Sequence, residues 1–399
     1  MSTGVTYPRG FQAAGVAAGL KPSGRPDVAV LLGDAGTTAA GLFTTNAIVA
    51  APVTLSRKHL SAGGARGVLV NSGQANAATG ARGEDDAAAA VAAAAATLGL
   101  APTDLLQCST GVIGEPLHMD RLLGALPLLV ASLRLGGGAD FAEAITTTDT
   151  VVKQAQADAA PFRVGGAAKG VGMISPSLAT MLAFVTTDAP VAQHDLQALA
   201  REHLAPHFEA ITVDGCTSTN DSALLFASGA AGAVPATPSA SAWTALAGAI
   251  DAVGASLASQ LIHDGEGVTH VMLVELLGAR DDEEARTLAA AVADSPLVKT
   301  ALFGADPNPG RILQALGAAG VALDPDAIDV WIGQTQLVGA GTVAPAYFQS
   351  DVLRTAAATA MAAPEVPIRI VVGGGHGRSR ALGGDLSYDY VRINGEYTT

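Results

Sequence analysis

Residues 169–189 read KGVGMISPSLATMLAFVTTDA and set Thr180 between the small Ala179 and an apolar run. A threonine hydroxyl is a weak nucleophile at its own pKa and needs a base. A chain-terminal threonine carries one in its α-amine, whose pKa of about 7.7–8.0 suits proton transfer near neutrality. An internal threonine reaches that state by self-cleavage. Its Oγ attacks the preceding carbonyl, water hydrolyses the resulting ester, and the threonine becomes an N-terminus. Such an attack favours a small preceding side chain, a bent backbone and donors for the developing oxyanion. Ala179 meets the first need, Gly170, Gly172 and Pro176 the second. Lys169 adds a cation close in sequence. Threonines at strand starts are common and mostly structural, so this stretch needs support from elsewhere.

Two further stretches supply it. LQCSTGVIGEPL (106–117) places Thr110 and Gly111 at a turn after an apolar segment. A hydroxyl beside a glycine N–H is a workable oxyanion hole for a tetrahedral intermediate, though CSTG also fits a strand-ending turn. AITTTDTVVK (144–153) gathers hydroxyls ahead of Asp149, a pattern that also serves ordinary caps and turns. Other chemistries lack their residues. There is no phosphate-binding G-x-x-x-x-G-K-S/T run, no G-x-G-x-x-G opening a helix and no G-x-S-x-G elbow. The eight histidines are dispersed without H-E-x-x-H spacing, so no metal site is expected; His263, His270 and His376 read as surface or supporting residues.

The elements that must position these residues alternate between strand and helix. RGVLVNSG (66–73) reads as a buried strand, followed by an alanine-rich helix from Ala87 behind the acids Glu84, Asp85 and Asp86. MDRLLGALPLLVASLRL (119–135) has helical spacing that Pro127 should kink or break. FRVGGAAKGVGM and TMLAFVTTDA frame the threonine as strand, loop, strand; residues 194–215 run from helix to strand, and 228–242 form a loop before a helix from Trp243 to Ile262. VTHVMLVELLGA is a strand, DEEARTLAAAVADSPLVKTALFG a helix running into a loop, and AIDVWIG, PIRIVVGGG and YDYVRING three late strands. The pattern predicts an α/β fold with helices outside layered sheets, αββα-like, and a smaller C-terminal α/β unit from about residue 275.

Composition bounds the partners. A chain of 399 residues with net charge −14 repels nucleic acid and anionic membrane surfaces. No segment reads as a membrane span, and the N-terminus lacks a basic stretch followed by an apolar one, so cytoplasmic residence is expected. Cys108 and Cys216 read as buried free thiols of a reducing compartment.

Taken together, RGFQAAGVAAGLK, VNSGQANAATG, CSTGVIG, TTTDT, AKGVGMISPSLATML, VDGCTSTNDS, DGEGVTH, SPLVKTALFGADPNPGR and the terminal NGEYTT resemble the ornithine acetyltransferase (glutamate N-acetyltransferase) family of arginine biosynthesis across nearly the whole chain. The resemblance implies self-cleavage between Ala179 and Thr180, giving an α chain of 1–179 and a β chain of 180–399 that assemble as an α2β2 heterotetramer. It places the oxyanion hole on Thr110 and Gly111, and substrate contacts on Thr147, Lys169, Thr180, Glu266, Asn394 and Thr399. The implied substrates are N-acetylornithine and glutamate, the products ornithine and N-acetylglutamate, by a ping-pong route through acetyl-Thr180. No cofactor is implied, with acetyl-CoA an alternative acetyl donor in some members. Lys169 suits an anionic group and Glu266 an ammonium. Two positions depart from the family pattern: Pro309 stands where a tryptophan is usual, and His270 where a lysine is. Two other readings stay open at this level, a self-processing aminopeptidase or amidase and an oligomeric amino-acid-binding protein.

Overall fold

A computed structural model of the chain describes residues 3–176, 181–232 and 240–396. Ala179, Thr180 and Thr399 lie outside the described residues. Two sheets pack face to face. The first has the order Phe11–Val16, Val28–Gly33, Gly67–Gln74, Leu105–Val112, with the last pair parallel. The second has the order Thr38–Phe43, Ser222–Ala227, Leu182–Thr187, Phe162–Lys169, Lys153–Ala159.

Strand alternation sorts the side chains between layers. Ala29 and Leu31, Val68 and Val70, Leu106 and Cys108 face inward from the first sheet. Leu182 and Phe184, Leu224 and Phe226 meet them from the second, with Phe141 edge-on to Phe184 at 5.0 Å between centroids. The intervening residues face outward. Val28, Val30, Leu69 and Leu105 are covered by the helices Gly80–Leu98 and Met119–Ala131. Ala183, Val185, Ala223 and Leu225 are covered by Gln193–His203 and Ala240–His263. The layers are helix, sheet, sheet, helix, as the alternating pattern led us to expect.

A third, seven-stranded sheet is built mainly from Val271–Ala279, Asp329–Ile332, Thr335–Gly339, Glu365–Val371 and Gly377–Gly384. It has its own core, in which Met272, Val274, Val330 and Ile370 pack on Leu288 and Val292 of the helix Asp282–Asp294. That helix is capped by Asp281, whose side chain accepts from Glu284 N. The two-residue strand Ile211–Thr212 pairs with its edge, tying it back to the sandwich.

Several sequence expectations are corrected. YDYVRING is not a strand but part of a helix, Tyr388–Glu396. Its aromatics suggested β structure, yet Arg392 pairs with Asp389 and Glu396 at helical spacing. The segment after Asp294 is a second helix, Pro296–Phe303, started by Ser295 accepting from Val298 N and by Pro296 in its first turn. Pro127 does not break its helix, which runs to Ala131. The alanine-rich helix begins at Gly80, so Glu84 to Asp86 lie past its first turn. Ala240–His263 is, by length and composition, apolar enough to cross a bilayer, contrary to the expectation that no segment is. Here it buries Leu246, Ile250, Val253, Leu257 and Leu261 in the core. Cys108 is buried as expected, but Cys216 is exposed, because it follows the Asp214–Gly215 turn rather than a strand.

Candidate functional site

The ends of several strands converge on one cavity. Its lining includes six of the residues singled out from sequence: Thr110, Gly111, Thr147, Lys169, Glu266 and Asn394. Thr110 and Gly111 come from the end of Leu105–Val112, where Gly111 sits opposite Gly73 of the parallel neighbour. Gly111 has φ +127°, and a Cβ there would strike the Gly73 backbone. Only glycine can close the strand at that point.

Lys169 ends its strand, buried beside Thr110, and its Nζ donates to Thr110 Oγ1 at 3.2 Å. Burial lowers its pKa, an effect that Asp149 opposes. Asp149 is itself buried and gathers three segments. Its Oδ2 accepts from Thr147 N at 2.9 Å, and its Oδ1 from Gly170 N at 2.9 Å and Lys153 Nζ at 2.7 Å. Burial alone would raise its pKa, but Lys169 and Lys153 together bring it down to about 2. Lys153, fully buried, also reaches Asp264 Oδ2 at 2.5 Å. Asp264 in turn accepts from Thr150 N and Thr150 Oγ1, which fixes the TTTDT loop to the end of the Ala240–His263 helix.

Glu266 follows that helix. Its Oε1 accepts from Thr148 Oγ1 at 3.1 Å and its Oε2 from Asn394 Nδ2 at 3.0 Å. Both donors are neutral. Gly172 lies beneath it, and a Cβ there would lie 2.5 Å from Glu266 Oε2, so glycine leaves the carboxylate its place. The segment ahead of the threonine is held by Asp214, which accepts from Met173 N at 2.7 Å and Ile174 N at 3.0 Å. Tyr390 Oη donates to the same carboxylate at 3.3 Å, anchoring the C-terminal helix that carries Asn394.

On the far side of residue 180, Met181 N donates to Asp221 Oδ1 at 3.2 Å. Asp221 is buried, and burial raises its pKa well above the usual carboxylate value. Asn220, also lining the cavity, donates through Nδ2 to Ala75 O and Ser109 O. Thr148, Lys153, Asp214, Asn220, Asp221 and Asp264 were not singled out from sequence. AITTTDTVVK, VDGCTSTNDS and DGEGVTH did flag their neighbourhoods, but only folding shows which hydroxyls and acids turn inward.

Neither departure from the family pattern lines the cavity. Pro309 is the first residue of the helix Pro309–Gly317, where its ring suits the backbone. His270 Nδ1 lies 3.3 Å from Asp385 Oδ2.

The ArgJ family model matches residues 12–399. Among curated proteins, the chain is 44% identical to the arginine biosynthesis bifunctional protein ArgJ of Thermosynechococcus vestitus, over 99% of this chain and 98% of that one. It is 46% identical to the protein of the same description from Parasynechococcus marenigrum, over 100% and 96%. Among solved structures, ornithine acetyltransferase complexed with ornithine from Mycobacterium tuberculosis is 39% identical with a TM-score of 0.40, covering 43% of this chain and 94% of that one.

Proposed function

This chain belongs to the ArgJ family, and from that premise we propose that it transfers an acetyl group from N-acetylornithine to glutamate in arginine biosynthesis. The observation that carries the reading is the convergence of Thr110, Gly111, Lys169 and Glu266 on one cavity, beside the strand that follows Thr180. Thr180 is the nucleophile, freed by cleavage of the Ala179–Thr180 bond.

Its Oγ attacks the acetyl carbonyl of N-acetylornithine while its α-amine takes the hydroxyl proton. The C–N bond then breaks, the proton passes to the leaving amine, and ornithine departs from an acetyl ester. Glutamate's amine attacks that ester, gives up a proton to the α-amine, and the C–Oγ bond breaks to return the hydroxyl. Thr110 and Gly111 donate to the oxyanion in both halves, and such a donor contributes about a hundred- to a thousand-fold in kcat. Glu266 receives the ornithine ammonium, and Thr147, Asn394 and Thr399 complete the substrate contacts. The acetyl ester conserves the group without an energetic cofactor; acetyl-CoA is a second donor for the same acyl-enzyme. We place the enzyme in the cytoplasm as an α2β2 assembly of its two fragments.

Thr180→Ala is expected to abolish both cleavage and transfer, leaving one 39.5 kDa species by intact mass. A T180A protein that still exchanged acetyl between ornithine and glutamate would sink the covalent route. Release of free acetate from N-acetylornithine, undiminished by glutamate, would point to an amidase instead.

A further inference from the structure

We propose that Asp221 is the acid of self-cleavage, giving its carboxyl proton to the nitrogen of Thr180 as the Ala179–Thr180 bond breaks. The inference rests on the self-cleavage reading of Thr180, and it gives a role to a buried acid that the transfer reaction leaves unused.

The sheet fixes where Asp221 stands. Ser222–Ala227 runs parallel to Leu182–Thr187, with Ser222 opposite Leu182. One residue earlier, Ser222 N donates to Met181 O at 3.1 Å and Thr44 N to Asp221 O at 3.0 Å, so the backbone is held from both sides. The side chain reaches the neighbouring strand, where its Oδ1 accepts from Met181 N at 3.2 Å. Met181 N is three covalent bonds from the nitrogen of Thr180, and standard backbone dimensions keep the two within about 3.7 Å whatever the torsion between them. A carboxyl bonded to the one stands beside the other.

Its second oxygen is left over. Asp221 Oδ2 is buried and has no hydrogen-bond partner among the described residues. A bare buried charge costs far more than a bare buried neutral group, so such a carboxyl favours keeping its proton. Burial accordingly raises its pKa well above the usual carboxylate value, against the opposing pull of Met181 N, the Thr44 and Ser218 hydroxyls and the Lys169 cation. The Thr44 hydroxyl gives its proton to Ser218 O at 2.6 Å, and Ser218 Oγ accepts from Asn220 N at 3.1 Å. The other acid of the neighbourhood, Asp149, has no proton to give near neutrality: burial raises its pKa, but Lys169 and Lys153 bring it down to about 2.

An amide nitrogen leaves a tetrahedral intermediate only once it is protonated, which is the task of a general acid. Thr180 Oγ attacks the Ala179 carbonyl carbon, and the C–N bond breaks as Asp221 gives up its proton. The departing nitrogen keeps its amide hydrogen, takes the Asp221 proton and receives the Oγ proton, and so becomes an ammonium. Asp221 is left as a carboxylate, and water then hydrolyses the ester at Oγ. The oxygen that had no partner gains a charged one, which favours the forward direction.

Asp221→Asn tests this, because its amide oxygen still accepts from Met181 N while the acid is gone. In full-length chain made cell-free and followed by intact mass, D221N is expected to cleave about a hundred- to ten-thousandfold more slowly than wild type. Hydroxylamine, which splits esters, should leave D221N whole, since no ester forms. A thermal midpoint matching that of the uncleaved T180A chain shows that the variant is folded. Cleavage of D221N at the wild-type rate, or its splitting by hydroxylamine, would overturn the inference and leave self-cleavage standing. The wild-type chain supplies a readout that needs no variant. The acid works only while protonated, so cleavage should slow by about tenfold per unit as pH rises through the raised Asp221 pKa. A rate that stays level from about pH 5 to about pH 10, beyond where burial carries a carboxyl, would overturn the role of Asp221. A wild-type chain that never cleaves would remove the self-cleavage reading, and this inference with it.

Discussion

Glu266 shows how tightly single atoms are arranged here. Its carboxylate is held by Thr148 on one side and Asn394 on the other, over a glycine that leaves no room beneath. Gly172→Ala should push the carboxylate off its partners, since a Cβ would sit 2.5 Å from Oε2. We expect a raised KM for N-acetylornithine, by about tenfold for a lost charge-assisted contact, with the global unfolding midpoint little changed. An equal KM with a large fall in stability would mean that Gly172 serves the backbone rather than the carboxylate. At this scale the sequence was partly legible. Thr110, Gly111, Thr147, Lys169, Glu266 and Asn394 stood in quotable motifs, and they do line one cavity. Asp214 and Asp264 did not stand out, because an acid after a strand or a helix is ordinary until its partners, distant in sequence, are seen.

Among the elements, the C-terminal helix Tyr388–Glu396 is the least obvious from sequence and among the most consequential. It brings Asn394 to Glu266 and is fastened by Tyr390 to Asp214 and by Ser387 Oγ to Gly267 O. Alternating tyrosines imitated a strand, while the helix depends on a docking surface made by segments more than a hundred residues earlier. Tyr390→Phe removes one such tie and leaves the ring. Hydrogen exchange of amides 390–396 should quicken, with a stability loss of about 1 kcal/mol or less. Unaltered exchange there would show that packing, not the Asp214 contact, holds the helix. Some strands of the sandwich were easier to read, because GVLV and LAFV are short apolar runs between turns, whereas ALLF was passed over. Pro127 and the second helix after Asp294 were misread for a shared reason: local breaker signals were given more weight than the apolar face that tertiary packing rewards.

Across the whole molecule, the layer between the two sandwiched sheets is one of several buried cores. Phe184→Ala would empty a fully buried site against Phe141 and should cost about 3–5 kcal/mol, measured by chemical denaturation. A loss under about 1 kcal/mol would mean that the layers close up around the gap. The strand bearing Phe184, Leu182–Thr187, occupies the middle of its sheet. It is flanked by Phe162–Lys169 on one side and Ser222–Ala227 on the other, and the latter is bordered by Thr38–Phe43. Strands from before and after residue 180 are thus interleaved like shuffled cards. Scission of the chain at that position would create new ends without creating separable bodies. The layer between the two sheets draws its residues from both halves, so each half should be insoluble when made alone, and the pair should part only in denaturant.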